Sequence, residues 1–205
     1  MAVIHDDALA LAADLTDLRR AIHADPEIGL DLPRTQRKVL DALDGLPLEI
    51  STGQSLTSVT EDLYDKVHAT NARGPFRLSV LIGERMAKGD GGSIINVSSV
   101  GAWRPTATDL PYAMAKAALN ALTLGLAGAW PPKVRANLVL PSASETDLTR
   151  NWPPETKARI AEMNPMRRMG TPGDLVGACV FLASDAASYV NGAQVPVDGG
   201  LYRTL

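Results

Sequence analysis

Cysteine and histidine are scarce in this chain. Among 205 residues there is one cysteine, Cys179, which excludes an intramolecular disulfide and any cysteine-built zinc site. A lone thiol suits a reducing compartment. The three histidines, His5, His23 and His68, have no partners at ligand spacing, so no metal is expected. Long apolar runs are missing too: nothing approaches the roughly 18 to 20 residues of a membrane span. Met1–Asp7 has neither the basic nor the apolar region of a secretory signal, and cytoplasm is the expected location. A strong excess of one charge is also absent. The formal net charge is −3, which gives no reason to expect nucleic acid or an anionic membrane as partner. No internal repeat or low-complexity tract occurs.

What is present is globular in character. Hydrophobic residues make up 45% and charged residues 21%, a balance that supports a packed core. The length suits one domain, or one domain with an appendage. Asp6 to His23 reads as an amphipathic helix, with Leu9, Leu11, Leu15, Leu18 and Ile22 at near-helical spacing. Asp25-Pro26 ends it, because the residue before proline avoids the helical region. A second helix is expected from Pro33 to Leu43, closed by Gly45. Leu48–Ser51 is a short strand candidate, and Ser51–Thr60 reads as a loop.

At about Glu61 the character changes. The pattern predicts a long helix (61–88), a strand Ile94–Ser98, a helix (112–129) and a strand Val134–Leu140. A loop with a short helix (147–163), a helix (172–183) and a strand Gln194–Val197 follow. Strands alternating with helices signal a parallel sheet with right-handed crossovers. The runs Ile94–Val97 (Asn96 aside) and Leu138–Leu140 read as strands buried on both faces. The expected order is 94–98, 134–140, 194–197, with the first strand at a sheet edge.

The chemistry centres on Tyr112-Ala-Met-Ala-Lys116. A spacing of four puts the phenol and the ammonium on one helix face. A cation beside a phenol favours the phenolate and lowers its pKa. Such a tyrosine can protonate a carbonyl that receives a hydride, or deprotonate an alcohol that loses one. By itself the pair reads as a solvated helix face. Its context is Ile94-Ile-Asn-Val-Ser98-Ser99, a strand ending in two hydroxyls, where Ser99 is placed to meet a substrate oxygen and Ser98 to face away. Upstream, Asn71 lies mid-helix, where asparagine is unfavourable. It marks either a local irregularity or a polar task.

Together these residues resemble the short-chain dehydrogenase/reductase family. Asn71-Ala-Arg-Gly-Pro-Phe76 resembles its Asn-containing helix, and Ser99, Tyr112 and Lys116 its catalytic triad. Pro141-Ser-Ala-Ser-Glu-Thr146 resembles its Pro-Gly loop, and Phe181–Asp185 and Val197–Gly200 its closing helix and strand. The resemblance implies an α/β fold: a partial Rossmann-like three-layer parallel sheet, with an N-terminal helical segment attached. It implies an oxidoreductase using NAD or NADP on a small-molecule alcohol or carbonyl, and a homo-oligomer. Tyr112 would be the acid/base. Lys116 would lower its pKa and hold the nicotinamide ribose. Ser99 would orient the carbonyl, and Asn71 would hold a water in the proton path to Lys116. Thr146, with Pro141, Ser142 and Ser144, would contact the nicotinamide end. Ser142 stands where the family has glycine.

The family's Gly-rich turn, which cradles the dinucleotide pyrophosphate at a helix N-terminus, has no counterpart: neither G-x-G-x-x-G nor T-G-x-x-x-G-x-G occurs. Leu18-Arg-Arg-Ala-Ile-His23-Ala-Asp-Pro26-Glu-Ile-Gly-Leu30, with Thr35 and Leu40–Leu43, instead resembles the start of M20-family amidohydrolases. In that family the histidine at this point is not a metal ligand, so His23 is expected to be solvated or capping. The chain therefore reads as a truncated oxidoreductase half (61–205) fused to an amidohydrolase-like segment (1–60), with the junction near Thr57–Glu61. Two functions remain: an oxidoreductase with impaired cofactor binding, or a non-catalytic remnant serving as an oligomerising or interaction domain. A metal-dependent amidohydrolase is set aside for want of ligands.

Overall fold

A computed structural model describes residues 12–26, 33–45 and 59–202. The chain divides into two compact units, Met1–Glu61 and Asp62–Leu205. In the first, α1 (Ala12–Ala24) packs on α2 (Pro33–Leu43). Asp25, the residue before Pro26, joins them electrostatically: its carboxylate accepts from Lys38 Nζ at 3.1 Å and lies 3.3 Å from the Arg34 guanidinium. The strand candidate Leu48–Ser51 lies outside the described residues.

The second unit follows with α3 (Glu61–His68, its first residue at the boundary), α4 (Gly74–Lys88), β1 (Gly92–Val97), α5 (Leu110–Ala127), β2 (Val134–Pro141), α6 (Pro154–Met163), α7 (Pro172–Ala183) and β3 (Gln194–Val197). The three strands are parallel in the order β1-β2-β3. Helices cover both faces. Ile94 and Ala136 point at α5 and α4, packing with Leu126, Val80 and Met86. On the other face Ser93 Oγ donates to the Leu182 carbonyl of α7 at 2.9 Å. The core is densest around β2, where Leu138, Val139 and Leu140 are fully buried. Each such leucine contributes roughly 1.5–3 kcal/mol relative to exposure.

Two expectations need correction. The stretch 61–88 is not one α-helix: a π turn over Ala69–Arg73 interrupts it. Pro75 has no N–H to give the Asn71 carbonyl, and the Gly74 N–H reaches back five residues to Ala69. The irregularity anticipated at Asn71 is this turn. Second, β1 is not buried on both faces. Only Ile94 is buried, and Val97 is 48% exposed, because among the described strands β1 has a neighbour on one side only. The loop with a short helix expected over 147–163 is found: the helix spans Pro154–Met163. Pro153 precedes a proline and takes ψ 138°, as sterics at that position demand.

Candidate active site

Tyr112 and Lys116 lie one turn apart near the start of α5. Asp109 prepares that start, its Oδ1 accepting from the Thr106 amide at 2.7 Å and hydroxyl at 2.8 Å. Pro111 occupies the first turn, where its missing N–H costs nothing. Alanines 113, 115, 117 and 118 favour the helix. Ala113 and Ala115 are buried, so the helix lies close to the core and Tyr112 is left 36% exposed. Lys116 Nζ sits 5.6 Å from the centroid of the Tyr112 ring, within cation–π range.

Lys116 is anchored to the sheet. Its Nζ donates to the Val97 carbonyl at 2.9 Å. Gly92 and Ser98 aim their N–H groups at β2, bonding the Lys133 and Val139 carbonyls. By strand alternation the backbone groups of Ser93, Ile95 and Val97 point the other way, along the edge without a described partner strand. Burial pushes the Lys116 ammonium below its ordinary pKa, since desolvation disfavours the charged form.

Ser99 follows Val97 by two residues. Its Oγ accepts from the Gly101 amide at 3.0 Å and caps the short 3-10 turn Val100–Ala102. That turn packs against α5. The hydroxyl keeps its own proton to donate. Ser98 faces away, as expected: it is buried, and its Oγ donates to Asn120 Oδ1 at 2.5 Å. The π turn carrying Asn71 also packs against α5. Asn71 Nδ2 donates to the Val67 carbonyl at 3.0 Å, which leaves its Oδ1 as an acceptor. The turns that carry Asn71 and Ser99 thus both pack against α5, the helix that carries Tyr112 and Lys116.

Pro141, Ser142, Ser144 and Thr146 are at the C-terminal end of β2, beside the end of β1 in the parallel register Val97↔Val139. Ligands of parallel α/β sheets bind at such ends. Pro141 pairs with Val197 in the β2–β3 ladder and Ser144 is bridged to Gly170, and no described hydrogen bond of these four residues reaches Tyr112 or Lys116. Ser144 Oγ donates to the Ser142 carbonyl at 3.1 Å, and the Thr146 amide donates to Thr149 Oγ1 at 2.9 Å. Among the described residues Arg167 is the sole non-glycine at positive φ, so Ser142 occupies no glycine-only conformation. The residues that would meet a nicotinamide ribose, Tyr112 and Lys116, suit that end of a dinucleotide: one hydroxyl and one ammonium beside a sheet end. No Gly-rich turn suits the pyrophosphate end.

Sequence reasoning missed Val97, whose contribution is a backbone carbonyl and has no residue signature. It also missed Asn120, an asparagine in an otherwise apolar helix, where low propensity was a usable signal. Among the described residues no group of three or more His, Cys, Asp or Glu could hold a metal. His23 is at the surface, with Nδ1 2.8 Å from the Arg19 carbonyl.

Residues 34–202 match the profile of the family described as Enoyl-(Acyl carrier protein) reductase. The chain is 36% identical to protein FixR of Bradyrhizobium diazoefficiens, over 82% of this chain and 65% of that protein. It is 35% identical to L-xylulose reductase of Caenorhabditis elegans, over 74% of this chain and 62% of that enzyme. A gluconate 5-dehydrogenase from Burkholderia cenocepacia, solved with NADP and tartrate, superposes with a TM-score of 0.69 at 31% identity, over 72% of this chain and 59% of that one. The chain spans less than two thirds of the length of each of these proteins. With the parallel sheet, the Tyr112–Lys116 pair and the serine-ended β1 already in place, these matches establish that the chain belongs to the short-chain dehydrogenase/reductase family.

Proposed function

We propose that the site performs proton transfer for hydride exchange between NAD or NADP and a small-molecule alcohol or carbonyl. The observation that carries this is the placement of Tyr112 and Lys116 on one face of α5, with Lys116 pinned at the end of β1 beside Ser99. Tyr112 gives a proton to the carbonyl oxygen in reduction and removes one from the hydroxyl in oxidation. Lys116, cationic and 5.6 Å from the ring centroid, stabilises charge on the phenol oxygen. Ser99 donates to the substrate oxygen and fixes its position. Asn71 holds a water toward Lys116. The dinucleotide supplies or accepts the hydride when bound, with Tyr112, Lys116, Pro141, Ser142, Ser144 and Thr146 at its nicotinamide end.

These 205 residues alone bind the dinucleotide weakly on this reading. Backbone N–H groups of a Gly-rich turn and helix N-terminus hold the dinucleotide pyrophosphate, and the sequence has no Gly-rich turn for that task. The motif Leu18–Leu30, which precedes the start of the family match at residue 34, supports an amidohydrolase-like origin for the beginning of the chain. A second reading, an oligomerising or interaction domain without catalysis, is favoured by the exposed apolar side chains of α4, where Phe76, Leu78 and Leu81 are each more than half exposed.

Fluorescence titration of NADH and NADPH against the purified chain tests the proposal. The expected dissociation constant is roughly millimolar, about −4 kcal/mol. Micromolar affinity would overturn the claim of impairment. No binding at saturating concentrations would favour the second reading.

A further inference from the structure

The interface between β1 and α5 is partly polar at its centre. The side chains of Asn96 and Ser98, alternate residues of the β1 run, point at α5. Asn96 Nδ2 donates to Thr123 Oγ1 at 2.9 Å, and Thr123 Oγ1 donates in turn to the Leu119 carbonyl at 2.8 Å. Ser98 Oγ donates to Asn120 Oδ1 and also lies 3.3 Å from the main-chain carbonyl of Lys116. Ser79 of α4 reaches Asn96 Oδ1 at 3.4 Å. Ser79, Ser98, Asn120 and Thr123 are all buried, and among the described residues no buried side-chain nitrogen or oxygen lacks a partner.

Apolar packing alone would hold α5 on β1, but it is non-directional. A helix on an apolar strand can slide or roll by a fraction of a turn at small cost. Buried hydrogen bonds behave differently, because a shift leaves a desolvated polar group unpaired at about 1–3 kcal/mol. Two such groups on the strand, meeting two on the helix three residues apart, admit one register. Ser98 is adjacent to Ser99, and Asn120 is one turn beyond Lys116.

We propose that this buried polar seam, with Ser98 and Asn120 at its centre, locks the register of α5 on β1 and thereby positions Lys116 and Tyr112 against Ser99. Ser98 and Asn120 are positioning residues: they touch no reacting atom and act through the backbone of β1 and α5. The importance of that register rests on the catalytic reading of Ser99, Tyr112 and Lys116.

The test is the double variant Ser98→Ala/Asn120→Leu in the full chain. Replacing both partners of a buried hydrogen bond by apolar groups leaves stability nearly unchanged, so folding and positioning separate. Lysine labelled with 13C at Cε is followed by NMR against pH, with the Lys116 signal identified by its loss in Lys116→Arg. The expected result is a thermal midpoint close to the parent's, with the Lys116 titration midpoint moved toward that of a solvated lysine as Nζ leaves its half-buried place at the Val97 carbonyl. An unchanged Cε shift and midpoint in a folded double variant would overturn the proposal. If the double variant does not fold, Thr123→Val, near-isosteric and lacking the acceptor for Asn96, is read the same way: a moved Lys116 titration supports the seam, and an unmoved one overturns it. The readout needs no turnover. A chain that fails to bind NADH while Lys116 responds as expected would sink the oxidoreductase reading and leave the seam standing.

Discussion

The ammonium of Lys116 lies 2.9 Å from the carbonyl oxygen of Val97, on the edge of β1 turned away from β2. One contact therefore has two effects. It satisfies an edge carbonyl, and lysine at a sheet edge is a recognised guard against unwanted strand pairing. It also fixes a cation 5.6 Å from the centroid of the Tyr112 ring, at the end of the strand that presents Ser99. The geometry of the proton-transfer group thus depends on the backbone of an edge strand.

Turnover of simple ketones or alcohols by this chain is expected to be very slow or undetectable. Any turnover should vanish in Tyr112→Phe, which keeps the ring and removes the proton. Because Tyr112 is 36% exposed, the variant should keep the parent's stability to within about 0.5 kcal/mol. NADPH-coupled assays with matched thermal melts check both. Equal turnover in parent and variant would remove Tyr112 from the mechanism.

Deleting residues 1–60 should leave the thermal transition of the remainder largely in place. The division between the compact units falls between Glu61 and Asp62, and among the described residues every buried one belongs to the second. Calorimetry of the shortened chain decides. Loss of all cooperative unfolding would mean the first helices share one core with the rest.

Acid should release the first turn of α7. Asp174 accepts from both Arg168 Nη1 and Nη2 at 2.7 Å and from the Thr171 amide and hydroxyl. The Arg168 hydrogen bonds, followed by those from Thr171, hold its carboxyl well below the ordinary value of 3.8. Its folded form therefore binds fewer protons than the unfolded form. The stabilisation is complete above that ordinary value and is lost as pH falls below it toward the folded value. Asp174→Asn should melt earlier than the parent at neutral pH, and the gap should close under strongly acidic conditions. A gap independent of pH would show that the carboxylate charge is not responsible.

Gly199→Ala should be severe. Gly199 has φ +66°, and a Cβ there would come within 2.4 Å of Asn164 Oδ1. Asn164 is buried, and its Nδ2 donates to the Asp198 carbonyl at 2.9 Å. Left-handed strain and the collision together should cost roughly 2–4 kcal/mol. Urea denaturation measures this; a loss within error of zero would mean the turn rearranges freely.

Much of the second unit was legible in the residues themselves. Alternating apolar runs and helical periods located β1, β2, β3 and α7 because burial imposes periods of 2.0 and 3.6 on any sequence that forms them. The spacing of Tyr112 and Lys116 announced a shared face because a helix has one pitch. Ser98 and Ser99 had to point oppositely because a strand alternates. What the residue order could not decide was what each polar group meets across the fold. The π turn follows from Pro75 interrupting the helix that carries Asn71, yet the Asn71 bond to Val67 is a choice among local partners. The anchoring of Lys116 on Val97, and the pairing of Ser98 with Asn120 and Asn96 with Thr123, join positions 19 to 27 residues apart. Partners at such separations are set by how α5 lies on the sheet, and helix placement is a property of the packed core that local periodicity does not encode.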